Sequence, residues 1–385
     1  MGRIVGIDLA RCLALLGMIT AHLVSSTGDG PGGVNTWFQI TAGRSSALFA
    51  VLAGVSIVLV TRARPARGAR DHRLALVVRA LAIAVIGLFL GVLSSGLAVI
   101  LTYYGVLFLV AVPVLTWSAG RLGILALAWG LASPIASLAL RPHLPESTFD
   151  VPDPASFAHP LQLLSEVLVT GYYPVLTWAT YLFAGMAIGR LDLRGTWARR
   201  RLFVTGAWVA VLALATARYA TRSESVRAAL LDTYDRWEPV SNWADLEQVM
   251  RTGLYGTTPT GSWSWLWVWS PHSGSIVDLT HTVGTSMLVI GASLMVAEAL
   301  RRHQRWLQVV AGAGTMTLTL YAAHVTVVAA GRADALAGPD IWVLDVRWHL
   351  VGVLVVGAGF ALARQRGPLE RLVSLLSEAA VRPPR

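Results

Sequence analysis

Leu81-Ala-Ile-Ala-Val-Ile-Gly-Leu-Phe-Leu-Gly-Val92 decides the fold class. It runs without a charge, and its apolar residues are continuous. A strand of a membrane barrel would place them at every second position. The stretch belongs to a longer one, 74–95, long enough for the roughly 20 residues that a helix needs to cross a bilayer core. Working outward, comparable runs recur along the chain. They predict ten helices at about 4–25, 37–61, 74–95, 98–117, 122–140, 172–189, 202–220, 276–298, 307–330 and 346–364. Composition agrees: of 385 residues, 55% are apolar and 14% charged, with mean hydropathy +0.60. Soluble proteins carry about 25% charged residues. Disorder is excluded, and a soluble globular enzyme is not expected. The reading is an all-α, polytopic membrane bundle in one domain, 1–365. A tail, 366–385, follows, with Leu369, Leu372, Val373 and Leu376 at helical spacing. It is expected as an amphipathic helix, either on the inner membrane face or docked on the bundle.

The net charge of +10 comes with no lysine: all 31 basic residues are Arg. They gather in the loops after the second helix (Arg62, Arg64, Arg67, Arg70, Arg73), the sixth (Arg190, Arg194, Arg199, Arg200, Arg201) and the eighth (Arg301, Arg302, Arg305). That is the positive-inside pattern and not a basic stripe for nucleic acid. It predicts two cytoplasmic termini and an external loop at 221–275. Arg in place of Lys, with abundant Ala, Gly, Val and Leu, suggests a GC-rich bacterial genome and hence a multi-pass protein of the bacterial plasma membrane. Asp8 and Arg11 interrupt the first apolar run, so no cleavable signal is expected. The single Cys12 rules out an internal disulfide. No two histidines share one helix at ligand spacing, so no metal is expected.

The external loop should hold two short helices, one near 223–234 and one beginning at Asn242, a good N-cap. Gly261-Ser-Trp-Ser-Trp-Leu-Trp-Val-Trp-Ser270 follows. Trp at alternate positions predicts an extended segment with Trp263, Trp265, Trp267 and Trp269 on one face. Such a face suits either an interfacial aromatic belt or a platform on which a sugar stacks.

Ionisable residues inside spans are functional candidates by default. Asp8, Arg11 and His22 share one face of the first helix, since three and eleven residues are close to whole turns. Arg44 lies two turns into the second helix. Thr102, Tyr103 and Tyr104 lie in the outer part of the fourth, Asp278 and His281 in the eighth, Tyr321 and His324 in the ninth. Packed together, these helices would build one polar cavity open to the outside.

These segments resemble a known superfamily. Ile7-Asp-Leu-Ala-Arg-Cys-Leu-Ala-Leu-Leu-Gly-Met-Ile-Thr-Ala-His22 is similar to the first helix of the transmembrane acyltransferases, which include the acyltransferase-3 and heparan-alpha-glucosaminide N-acetyltransferase families. Asp8, Arg11 and His22 fit the acyltransferase-3 spacing; the heparan-type enzymes usually carry Asn at the His22 position. Both usually have Gly where this chain has Cys12, read as a small packing substitute. Gly43-Arg-Ser-Ser-Ala-Leu-Phe-Ala-Val-Leu-Ala-Gly54, Leu101-Thr-Tyr-Tyr-Gly-Val-Leu107, Tyr172-Tyr-Pro-Val-Leu-Thr-Trp178 and Gly314-Thr-Met-Thr-Leu-Thr-Leu-Tyr-Ala-Ala-His324 agree in order. The resemblance implies transfer of an acyl group, in the first place acetyl, from cytoplasmic acyl-CoA to a hydroxyl or amine of a glycan or other small acceptor on the outer side. The bilayer is the other partner, and a homodimer is left open.

Such a reaction needs a base and a stabiliser for the oxyanion. By family position His22 is the first candidate base, with Asp278 and His281 second. Arg44, Tyr104 and His324 are candidates for the acceptor or the oxyanion. Arg11, Arg62, Arg64 and Arg79 are placed for the CoA phosphates, and Asp8 pairs with Arg11. The rival reading is a transporter or flippase for a glycan, lipid or drug using the same polar cavity.

Overall fold

The computed structural model describes residues 3–64, 67–236, 238–335 and 344–381; the last four residues of the expected tail lie outside them. The described residues form a bundle of helices, and the single bridge of extended chain joins Thr27 to Val34. The helices are α1 (Val5–Leu23), α2 (Thr36–Thr41), α3 (Arg44–Arg62), α4 (Ala69–Gly91), α5 (Leu101–Ala111), α6 (Ala119–Leu140), α7 (Pro160–Ser165) and α8 (Val175–Arg190). They continue with α9 (Thr196–Ala220), α10 (Glu224–Asp232), α11 (Trp243–Thr252), α12 (Ile276–Ala299), α13 (Gln304–Val310), α14 (Thr317–Ala335), α15 (Val346–Leu362) and α16 (Pro368–Ala379).

Among the described residues six helices are long and apolar enough to cross a bilayer: α1, α2 with α3, α4, α6, α9 and α12. A seventh forms if the pair at 301–315 and 317–333, bent by 56°, counts as one span. The remaining expected spans are shorter. The helix expected at 98–117 is regular only over the 11 residues of α5, and α8 has 16. Both are buried inside the bundle, α8 along nearly its whole length between α3 and α6. Irregular backbone at membrane depth is tolerated where protein surrounds it, so the helices need not reach from face to face.

The helix expected at 37–61 is broken. Asn35 caps α2, its Oδ1 accepting from the N–H groups of Trp37 and Phe38, and the chain then turns at Gly43, whose φ is 71°. A side chain there would be strained by the left-handed backbone and would meet Pro271 at 3.1 Å. The turn aims Arg44, the first residue of α3, at the bundle interior. A second break, at 311–315, separates α13 from α14. Here Gly314 lies against α1 so closely that a Cβ would stand 1.8 Å from the Asp8 carbonyl oxygen. Cys12, buried, sits beside that contact. Small residues do the same between α9 and α12, where Gly206 meets Gly284 and Gly291 meets Phe203 backbone to backbone, as membrane helices often pack.

The long loop at 221–275 contains α10 and α11, the latter capped by Asn242 Oδ1, which accepts from Ala244 N and Asp245 N at 2.8 and 3.1 Å. The Trp-rich run is not extended. Trp263–Trp267 is a 3₁₀ turn, started by the Ser262 hydroxyl accepting from Ser264 N. The turn sends the tryptophans different ways. Trp265 is wholly buried against Leu230 and Leu246, its indole N–H donating to Thr233 Oγ1 at 2.9 Å, while Trp263 and Trp267 are exposed. Burial of one large ring in the loop's own core outweighs the alternating pattern, so no four-ring platform exists.

The tail helix α16 docks on α4 and α14, with Val373 buried. Glu370 accepts from Leu318 N at 2.7 Å, Thr319 N at 3.2 Å and Thr319 Oγ1 at 2.5 Å, capping the first turn of α14.

Candidate active site

At the Arg-rich end of the bundle, α1, α3, α4, α5, α14 and α16 surround a cavity of about 580 Å³. Arg11, Arg64 and Arg79 line it, and so does Arg67. Asp8 holds Arg11 in place: Arg11 Nη1 donates to Asp8 Oδ1 at 3.0 Å, and Nη2 to Ser56 Oγ at 2.6 Å. Arg3 shares the same carboxylate through its other oxygen. Arg64 pairs with Glu378 of α16. Arg79 makes no hydrogen bond or ion pair among the described residues, although it lies within electrostatic reach of Arg11, Arg64 and Glu370. Glu370 already serves the α14 backbone. With Arg366, five arginines line the cavity against one lining carboxylate, Glu370, which is the electrostatics of an anion site. Arg62 does not line it. Its Nη1 donates to the carbonyls of Gly189 and Arg190 at the end of α8, at 3.3 and 3.2 Å, which caps that helix.

Tyr104 and Tyr321 also line the cavity. Tyr104 donates to Ser46 O at 3.4 Å, and the Tyr321 hydroxyl accepts from Ile100 N at 3.3 Å, so both rings are fixed. The Tyr321 ring centroid is 6.5 Å from that of His22, which does not itself line the cavity. His22 Nδ1 is 3.1 Å from His324 Nε2, and its Nε2 makes no hydrogen bond among the described residues. His324 has both nitrogens engaged, the second by His349 of α15. It is therefore not open to an acceptor.

The second polar group is separate. Arg44 Nε donates to His281 Nε2 at 3.0 Å, and Nη1 donates to Gln39 O at 2.5 Å. His281 Nδ1 faces the Ala210 carbonyl at 3.1 Å. A carbonyl only accepts, so Nδ1 carries the proton and Nε2 spends its lone pair on Arg44. His281 has no lone pair left for a substrate. Asp278 Oδ2 accepts from Gly274 N at 3.0 Å. Trp269 alone of the Trp run reaches this group, 4.9 Å from the Arg44 guanidinium carbon and edge-on to His281. The outward polar residues thus divide into a histidine chain at His22 and an Arg44–His281 pair, rather than forming one cavity.

Two site residues escape the sequence reading. His349 lies in a span and could have been found by the same rule that singled out His22. His272 gives no such signal, since it sits in the external loop with φ 56°. Its ring stacks parallel on Trp178 and edge-on against Tyr173, within electrostatic reach of His22. Burial pulls its imidazole down from the ordinary value to about 4, so it stays neutral at physiological pH.

An all-helical bundle with several candidate spans defines a multi-pass membrane protein, and an arginine-lined cavity lies within it. The family model for heparan-alpha-glucosaminide N-acetyltransferase, catalytic, matches residues 3–219, more than half of the chain. The protein belongs to this family of membrane acetyltransferases. The match takes in α1 to α9, and with them Arg11, His22, Arg44, Arg64, Arg79 and Tyr104. No curated protein matches the chain.

Proposed function

We propose that this protein moves an acetyl group from acetyl-CoA, entering at the Arg-lined cavity, to an amine or hydroxyl of a glycan reaching His22 from the opposite side. The observation that carries the reading is Arg79, a cation without a partner among the described residues, beside Arg11 and Arg64 in a cavity also lined by Tyr321, whose ring is next to that of His22. Phosphates are the natural partners of such a cluster. The pantetheine arm would run past Tyr104 and Tyr321 toward His22. His22 keeps Nε2 open, as a base must. With the positive-inside charges, the donor enters from the cytoplasm of a bacterial cell, both termini lie there, and residues 221–275 are external. The ten helical segments then all belong to the membrane domain, the short ones completed by their irregular flanks. Asp8, Arg11 and His22 also keep the acyltransferase-3 spacing, which places a His where heparan-type relatives have Asn.

The step is an acyl transfer. The acceptor's N or O forms a bond to the thioester carbonyl carbon, the C–S bond breaks, and the sulfur leaves with its electron pair. The acceptor's proton goes to the base, and the thiolate takes a proton from water. The test is to incubate purified protein with acetyl-labelled acetyl-CoA and membrane glycans and to identify the labelled product. Flux of a substrate across vesicles with no loss of acetyl from CoA would instead establish the carrier reading.

A further inference from the structure

His324 is held between two other histidines on two other helices. Its Nε2 is 3.1 Å from His22 Nδ1 and its Nδ1 is 3.0 Å from His349 Nδ1. Both are hydrogen-bond distances. The His22 and His324 rings are within 9° of parallel, with centroids 5.3 Å apart. With 3.1 Å already taken between the facing nitrogens, only a ring radius remains on each side. The rings are therefore edge to edge and nearly coplanar, with the shared proton on the line between them. His349 is turned across this plane at 86°. The nitrogens meet in pairs and do not converge on a common point; no cluster of three or more ligands is placed to hold a metal among the described residues.

A neutral imidazole offers one donor and one acceptor. With both nitrogens of His324 engaged, one must donate and the other accept, so the protonation of His22 and of His349 is coupled through it. A histidine base is commonly oriented by a buried carboxylate. Neither His22 nor His324 hydrogen-bonds to a carboxylate among the described residues. A second imidazole occupies that place.

We propose that His22, His324 and His349 form a proton relay, with His324 the shuttle and His349 the group that ends with the charge; this rests on the reading of His22 as the base. The acceptor's proton goes to His22 Nε2 as the new bond to the acetyl carbon forms. The proton on His22 Nδ1 passes to His324 Nε2, and that on His324 Nδ1 passes to His349 Nδ1. The leaving sulfur keeps the electron pair of the C–S bond and takes its proton from water. His349 is left protonated and returns that proton to water between turnovers. The imidazolium is thereby moved two rings away from the transferring group. His324 and His349 act through His22, so they are positioning residues.

The experiment compares His22→Ala, His324→Gln, His349→Gln and the His324→Gln/His349→Gln double variant, each checked by melting temperature. Acetyl transfer, acetyl-CoA affinity and the ring ¹⁵N resonances of His22 are measured for each. The relay predicts kcat lower by roughly 10- to 100-fold in each Gln variant, part of the usual general-base contribution, with acetyl-CoA affinity unchanged. The double variant should fall no further than the worse single one, because the pair acts as a unit. His349→Gln should also shift the His22 ring resonances, although these two residues share no hydrogen bond. Full activity in both Gln variants alongside an inactive His22→Ala overturns the relay and leaves the base standing. Losses that multiply, with His22 resonances unmoved, overturn it too. Full activity in His22→Ala removes the base reading itself.

Discussion

Replacing Arg79 by Met should make the empty protein more stable and the donor bind more weakly. Arg79 has no hydrogen bond or ion pair among the described residues, and its charged neighbours are Arg11, Arg64 and Glu370. Glu370 spends its two oxygens on Leu318 N, Thr319 N and Thr319 Oγ1. In the empty cavity the guanidinium is thus partly desolvated and repelled by its neighbours. Exchanging it for an apolar chain of similar length should stabilise by on the order of 1 kcal/mol, the lower end of what removal of imperfectly compensated buried charge yields. With the donor bound, the same change deletes a charge-assisted phosphate contact worth about 1.5–3 kcal/mol. That is a roughly 10- to 150-fold rise in Kd. Thermal unfolding of the detergent-purified protein reads the first effect, and equilibrium binding of labelled acetyl-CoA the second. The two should move in opposite directions, and the loss of affinity should shrink as salt screens the mouth. A variant that melts lower and binds acetyl-CoA as the parent does would refute the reasoning: Arg79 would then be a structural cation whose stem packs and whose head reaches water.

Three further outcomes are expected. His22→Ala should lose about 10²–10⁴-fold in acetyl transfer while retaining acetyl-CoA binding; His22→Asn tells more, since full activity there would move the base elsewhere. Reporters fused at Arg67 and at Ser241 should fall on opposite sides of the membrane, and finding them on one side would overturn the orientation. His272 has a folded-state value of about 4 against about 6.5 unfolded. The unfolded chain therefore binds more protons between these values, so His272 supports the fold above pH 6.5 and loses up to about 3 kcal/mol of that support as pH falls to 4. His272→Phe, which keeps the stack on Trp178, should flatten this part of the pH–stability curve; an unchanged slope would show that His272 is not buried neutral.

What the sequence discloses here is what is local. The helix of Asp8, Arg11 and His22, the cap at Asn242 and the amphipathic α16 all follow from residues within a few turns of one another. Arg64 was legible as a loop charge, Arg11 and Arg79 as charges within the first and third expected helices, and all three do line one cavity. What separates Arg62 from them is a partner 127 residues away, the end of α8, which no local pattern announces. The break at Gly43 depends on Pro271 and on the need to turn Arg44 inward, not on the apolar run that conceals it. The Trp run misleads because alternation is read as an extended strand, whereas Ser262 and the small core around Trp265 impose a tighter turn. His281 looks like a free base beside Asp278 until Ala210 and Arg44, from two other helices, occupy its nitrogens. His324 is likewise spoken for by α1 and α15.

The cap that Glu370 places on α14 also orders events during synthesis. α14 enters the bundle with the N–H groups of Leu318 and Thr319 pointing at the inner mouth, and their acceptor lies about fifty residues later in the chain. Until α16 is made and docks, the mouth is bounded by Arg11, Arg64 and Arg79 and by the bare positive end of a helix. Such a half-built opening attracts anions and repels cations. The arrival of α16 contributes Glu370 to the helix end and Glu378 to Arg64, and the leftover cation, Arg79, is the group still waiting for a ligand. Completing the cavity wall and leaving Arg79 uncompensated are thus the work of the same short helix.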